Sequence, residues 1–156
     1  MTGCQVVAAN VMVDNHVAFE PEAIYCQLRG QGQARIHFIP LSTGKNAVTP
    51  SRWAAFLIGV FDLWCQEDIG LISIQLFDET LQTWCDPGCC ADSSRPRCRL
   101  CPGYRTCLSE NEALCEGYLA FYRYSAPFFK VMRDLTRQQR SPAELMDLLR
   151  QSGLSR

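Results

Sequence analysis

Four cysteines, Cys98, Cys101, Cys107 and Cys115, stand in a C-x2-C-x5-C-x7-C arrangement across CRLCPGYRTCLSENEALC. A C-x2-C pair wraps two thiolates around one centre through a tight turn, and two further thiolates complete a four-sulfur shell. Tetrahedral zinc and a [4Fe–4S] cluster both accept such a shell, so the spacing leaves both open. Arg97, Arg99 and Arg105 lie beside the ligands and would offset the negative charge of the centre. The neighbouring Cys85, Cys89 and Cys90 are read as remnants of a second, incomplete site, because adjacent cysteines ligate one ion together awkwardly. Cys4, Cys26 and Cys65 are scattered among apolar residues and are read as small buried hydrophobes.

The metal reading depends on the compartment. The N-terminal stretch MTGCQVVAANVMVDN has no basic region before its apolar run and no small-residue cleavage site. The longest apolar run, WAAFLIGVF, falls far short of the roughly 20 residues of a membrane span. The expectation is a cytoplasmic protein with no membrane association, and in a reducing compartment clustered thiols point to metal rather than to disulfides. The net charge of −1 excludes bulk attraction to nucleic acid or anionic lipid. That charge is divided unevenly. Residues 1–90 carry four basic and nine acidic side chains, and residues 91–156 carry eleven and seven. The basic end is read as a solvated surface, so nucleic acid is not expected as a partner.

The elements that must position the cysteines can be read from periodicity. QVVAANVMV (5–13) and ARIHFIPL (34–41) are short, β-branched apolar runs and read as strands. EPEAIYCQLRGQG lies between them, with Pro21 suited to a first helical turn and Gly30 and Gly32 to its end. TPSRWAAFLIGVFDLWCQEDIG (49–70) predicts a helix with Thr49 as cap and Pro50 at its first position. Trp53, Phe56, Leu57, Val60, Phe61 and Trp64 make its one broad apolar face. LISIQLFD (71–78) reads as a third strand ending at Asp78. The order is β-α-β-α-β, the grammar of a parallel α/β sheet or part of a (β/α) barrel.

From residue 83 the periodicity is lost among turn formers, and a metal is a plausible organiser of such a segment. Helices return in EALCEGYLAFYRYSAPFFKVMRDLTRQQR, which Pro127 is expected to kink or split. SPAELMDLLRQSG follows, a capping box with Ser141 at the cap and Glu144 within the first turn. The expected organisation is a partial barrel over 1–82, then a Cys-rich segment with C-terminal helices over 83–156.

HFIPL, TPSRWAAFLIGVFDLW, IGLISIQLFDETLQTW and above all LCEGYLAFYRYSAPFFKVMRDLTRQQRSPAELM resemble the C-terminal half of the anaerobic sulfatase-maturating enzymes. These are radical S-adenosylmethionine proteins with a SPASM-type twin-cluster domain that oxidise a Cys or Ser of a sulfatase to formylglycine. The resemblance covers most of the chain, with one deletion near 86–97. It implies that Cys98, Cys101, Cys107 and Cys115 hold the outermost auxiliary [4Fe–4S] cluster. It also implies that residues 5–78 are later strands and helices of a partial (β/α) barrel. Where the family has a further cluster ligand four residues after Cys107, this chain has Asn111. The C-x3-C-x2-C loop that holds the cluster chelated by S-adenosylmethionine is not found in this sequence. Two readings follow. One is a truncated maturase relative that binds an iron–sulfur cluster, without S-adenosylmethionine and without autonomous activity. The other is a zinc-binding regulatory or interaction module with a basic C-terminal face, such as a transcriptional regulator. A half barrel leaves open sheet edges, so a sulfatase, another protein completing the barrel, or self-association is expected.

Other chemistry is sparse. His16 and His37 have no carboxylate partner evident in sequence and are read as structural. Asp78 and Glu79 close the third strand, where a barrel mouth would lie, and are read as ordinary loop residues.

Overall fold

The computed structural model describes residues 9–85 and 114–151. Its first half is a three-stranded parallel sheet in the order β1 (Ala9–Val13), β2 (Arg35–Pro40), β3 (Ser73–Ile74), with α1 (Pro21–Gly30) and α2 (Pro50–Glu67) as the crossovers. The mixed α/β architecture expected from the sequence is therefore present. A short 3₁₀ turn, Val17–Phe19, leads into α1. It is closed by Asp14, whose Oδ1 accepts from the amides of His16 and Val17.

The register decides the two faces of the sheet. Val11 pairs with Phe38, Val13 with Pro40 and Ile36 with Ile74, and Val13, Ile36, Phe38 and Ile74 are buried among the helices. Asn10 pairs with His37, Met12 with Ile39 and Arg35 with Ser73. Side chains alternate across a strand, so these six share the opposite face, where Met12 is 54% exposed.

Helix α2 forms as the pattern requires. The Thr49 hydroxyl accepts from the Arg52 amide at 3.3 Å, Pro50 opens the first turn, and Trp53, Phe56, Leu57, Val60, Phe61 and Trp64 are all buried. Gly70, at φ 83°, supplies the left-handed residue that turns the chain toward β3. The Trp64 indole donates to the Ile72 carbonyl at 2.8 Å and fastens that turn.

Three expectations are corrected here. The strand read over 71–78 pairs only at Ser73 and Ile74, and α3 (Gln75–Cys85) begins at once. Phe77 and Thr80 are fully buried, with Leu81 and Trp84 packed against the core. This spacing of three to four residues is helical, and it overrides the strand-like alternation. Pro127 does not split its helix, since α4 runs without interruption from Cys115 to Arg137. Phe121 and Phe129, both fully buried, anchor it on either side of the proline. The capping box near 141 forms differently. The Ser141 hydroxyl accepts from the Ala143 amide at 3.2 Å, α5 begins at Glu144 (Glu144–Gln151), and Glu144 turns back to Arg140 at 2.8 Å.

Helix α4 lies along α2 and α3, and α5 covers the end of α2. The α4 C-terminus closes as a Schellman motif, with Arg140 N–H on Leu135 O at 2.8 Å and Gln139 N–H on Thr136 O at 3.0 Å. The left-handed position is Gln139, at φ 60°. Glycine avoids the side-chain penalty there. Gln139→Gly is expected to raise stability by about 0.5–1 kcal/mol in urea titrations.

Tyr25 is fully buried on α1. Its hydroxyl donates to Asp68 Oδ2, and Arg29 holds the same carboxylate at 3.2 Å and Glu67 at 2.8 Å. Burial, and then the bond to the Asp68 carboxylate, push the Tyr25 phenol well above its ordinary value. The sign follows from linkage. Above about pH 10 the unfolded chain releases this proton and the folded chain keeps it, so the contribution is intact below pH 10 and lost as pH rises. Stability is expected to fall by about 1.4 kcal/mol per pH unit on this account. In Tyr25→Phe that component of the alkaline slope should vanish, as read by denaturant titration at successive pH values.

Candidate functional site

Of the four cysteines singled out by spacing, Cys115 lies within the described residues and Cys98, Cys101 and Cys107 lie outside them. Cys4, Cys89 and Cys90 lie outside as well. Cys115 is the first residue of α4 and is half-buried. Cys85 is the last residue of α3, which packs against α4. Among the described residues no group of three or more His, Cys, Asp and Glu side chains gathers as a metal site. Cys65 is buried as expected, and burial pushes its thiol up. Cys26 corrects the reading that grouped it with Cys65. It is exposed on the outer face of α1, because the helix turns Tyr25 inward and its neighbour outward.

The start of α4 is set by close packing. Leu114 is buried beside Cys115. A Cβ on Gly117 would stand 2.5 Å from the Pro50 carbonyl oxygen, so only glycine lets α4 approach the first turn of α2 at this distance. Tyr118, one residue on, meets Trp53 edge-on at 5.9 Å between ring centroids. Residues 115 and 118 are three apart and share one side of the helix.

Tyr118 is one wall of a cavity of about 150 Å³. His37 and Phe38 of β2, Trp53 of α2, and Gln75 and Glu79 of α3 form others. The parallel register Arg35↔Ser73 brings the residues that follow β3 beside His37. The Gln75 amide donates to Glu79 Oε1 at 3.1 Å. Sequence reasoning named His37 and Glu79 separately and did not join them. It gave Trp53 a core role only, and it did not single out Gln75 or Tyr118. Asp78, one residue before Glu79, points elsewhere. Its carboxylate accepts from the Ser73 hydroxyl. Burial pushes its carboxyl above the usual range, against the opposing effects of Ser73 and Arg35. Both acids stand in the first turns of a helix rather than in the loop expected for them.

Among the described residues, three of the arginines at the basic C-terminal end stand beside an acidic neighbour. Arg133 pairs with Asp134 at 3.2 Å, Arg140 with Glu144 at 2.8 Å and Arg150 with Asp147 at 3.8 Å. No helix among the described residues is long and apolar enough to cross a membrane.

The chain is 39% identical to the protein YidF of Escherichia coli strain K12, itself uncharacterized, over 170 aligned positions that take in 96% of this chain and all of that protein. The chain belongs to the YidF family. This YidF-family chain is also 40% identical to a serine-type anaerobic sulfatase-maturating enzyme of Bacteroides thetaiotaomicron over 62 residues. That stretch is 35% of the chain and 15% of the enzyme. Two solved structures share its fold. Native anSMEcpe with bound AdoMet superposes with a TM-score of 0.64 at 15% identity over 80% of the chain. Native anSMEcpe with bound AdoMet and Cp18Cys peptide superposes at 0.65 and 16% over the same share. The chain spans 56–57% of the length of these structures. No family model matches. The YidF-family chain is thus a partial relative of the anaerobic sulfatase-maturating enzymes, as the sequence resemblance implied.

Proposed function

We propose that this protein is an iron–sulfur accessory relative of the sulfatase-maturating enzymes, binding one [4Fe–4S] cluster through Cys98, Cys101, Cys107 and Cys115. The 40% identity to a serine-type maturase over a 62-residue stretch supports this reading. The donor set fits the group, since four thiolates are the usual shell of such a cluster. Cys115 stands at the head of a long helix whose first turn is fixed against α2, a rigid mount of the kind a ligand needs. When bound, such a cluster supplies one-electron transfer at a potential set by its charge, its hydrogen bonds and its exposure. The protein's own part is to hold Cys115 one helical turn from the Tyr118 wall of the cavity. It does so without S-adenosylmethionine and without maturase activity of its own. The partner it serves is a sulfatase or a protein that completes the half barrel over the face bearing Met12.

Anaerobic purification with iron and sulfide analysis tests the reading. The expected result is a brown protein with about four irons per chain, the stoichiometry of the cluster. Cys115→Ser should lower the iron content while leaving the helical circular dichroism unchanged. A colourless chain holding one zinc would overturn it.

A further inference from the structure

The two edges of the sheet are guarded differently. Proteins blunt an exposed edge by keeping its strand short, by placing Lys, Pro or a bulge on it, or by covering it. The β3 edge is guarded by length, since β3 has two residues and α3 follows at once. The β1 strand carries none of these devices. Ala9–Val13 reads ANVMV, with no charge and no proline, and its register with β2 runs one to one without a bulge. Among the described residues β2 is its one neighbour in the sheet.

The backbone decides which residues a further strand would meet. The Leu41 N–H donates to the Val13 carbonyl at 2.8 Å, so Val13 turns its backbone groups toward β2. These groups alternate in direction along a strand. Ala9, Val11 and Val13 therefore face β2, and Asn10 and Met12 turn theirs outward. Asn10 and Met12 also have the exposed side chains of the strand, while those of Ala9, Val11 and Val13 are half-buried or buried on the helix side. We propose that β1 pairs antiparallel with β1 of a second copy of this chain, about a two-fold axis at Val11. In that register Asn10 lies opposite Met12 of the second copy, and each such pair exchanges both of its N–H···O=C bonds. Val11 lies opposite Val11 of the second copy as the closer, non-hydrogen-bonded pair. All five residues overlap, every outward backbone group is bonded, and apolar side chains meet apolar ones beneath the helices. A copy suits the edge because β1 has no charge to set against its own, and the net charge of −1 adds little repulsion. The two-fold uses both β1 edges at once and leaves the short β3 edges at the ends, so the assembly closes at two. The inference goes beyond the accessory reading and does not rest on the cluster: a monomer would sink it and leave the iron analysis untouched.

The test is sedimentation equilibrium of the full chain over a range of concentrations, joined to amide hydrogen exchange read by NMR. A reversible monomer–dimer equilibrium is expected. The Asn10 and Met12 amides should gain protection as concentration rises, while those of Val11 and Val13, which face β2, should not change. Met12→Lys sets on the strand the charge that guarded edges carry, and it should weaken the dimer roughly tenfold or more. Met12 is 54% exposed, so the substitution leaves the fold intact. Leu71→Lys is the control. Leu71 is 70% exposed beside β3, at the other edge of the sheet, and its substitution should leave the dimer unchanged. Three results each overturn the proposal: a monomer at every concentration, a dimer that Met12→Lys does not weaken or Leu71→Lys does, and Asn10 and Met12 amides already protected in the monomer, which would mean that the chain covers this edge itself.

Discussion

Phe61→Ala is expected to remove about 3–5 kcal/mol of folding stability, a large part of the 5–15 kcal/mol that holds a domain of this size together. Phe61 is fully buried at the point where α2, α3 and α4 meet. Its ring stands edge-on to Phe77 at 5.2 Å, Phe121 at 5.6 Å and Tyr124 at 6.5 Å, and it also meets Phe128 at 5.6 Å and Phe129 at 5.3 Å. Among the described residues no other side chain joins so many rings across three helices. Alanine would forfeit both the burial and the edge-to-face geometry. It would also leave a cavity that rigid aromatic neighbours cannot collapse into. Phe61→Leu separates the two contributions. It keeps most of the apolar area and loses the ring contacts, each of about 0.5–1.5 kcal/mol beyond burial. Urea denaturation should place it between the native chain and alanine. A Phe61→Ala protein within about 1 kcal/mol of the native chain would mean that this junction is not where the helices are locked.

How much of this could be seen in the sequence varies by element. Helix α2 was fully legible because three signals agree: the Thr49 cap, Pro50 in the first turn and an apolar face sustained over three turns. β1, α1 and β2 were legible for similar reasons. β3 is shorter than the sequence suggests because LISI satisfies a strand and Leu76 and Phe77 continue its apolar pattern past Gln75. The deciding feature is tertiary. β2 offers β3 a partner only at Arg35 and Ile36, and beyond that point Phe77 and Thr80 gain more by facing α4 from a helix. Pro127 misled in a related way. The missing N–H and the ring clash cost about 3 kcal/mol or more, yet aromatic burial on both flanks keeps α4 whole.

The site was legible only in part. The cysteine spacing could be read directly, and of its four members Cys115 is placed by the fold on a fixed helix start. The cavity could not be read, because its walls are joined by register and not by a motif. His37 and Glu79 lie 42 residues apart and meet only because β3 pairs in parallel with β2. Nor does composition distinguish Trp53 from Trp64. Both sit on the apolar face of α2, and the difference lies in what each indole finds: a carbonyl for Trp64 and, among the described residues, no acceptor for Trp53.

Gly117→Ala is expected to destabilise the chain by about 1–3 kcal/mol, although alanine is the better helix former by about 0.5–1 kcal/mol. Two effects oppose each other, and geometry decides between them. The added methyl would lie 2.5 Å from the Pro50 carbonyl oxygen, 3.2 Å from its carbon and 3.3 Å from its Cα. All three are backbone atoms, and this backbone is held by the proline ring and the Thr49 cap, so it cannot yield as the tip of a flexible side chain would. The start of α4 must move instead, and both features of the site move with it: Cys115 two residues before, and Tyr118 one residue after. In CEGY the cysteine is the proposed metal donor, the glycine is the close approach and the tyrosine is a cavity wall. Gly30→Ala is the matched control. Gly30 lies at the end of α1, and a Cβ there meets nothing within 4 Å, so that variant should be at least as stable as the native chain. The two variants compared in urea, with the Trp53 indole resonance as local readout, separate propensity from packing. If Gly117→Ala matched Gly30→Ala in both measurements, the helix start would not be pinned on Pro50, and the tie between the cysteine and the cavity would be lost with it.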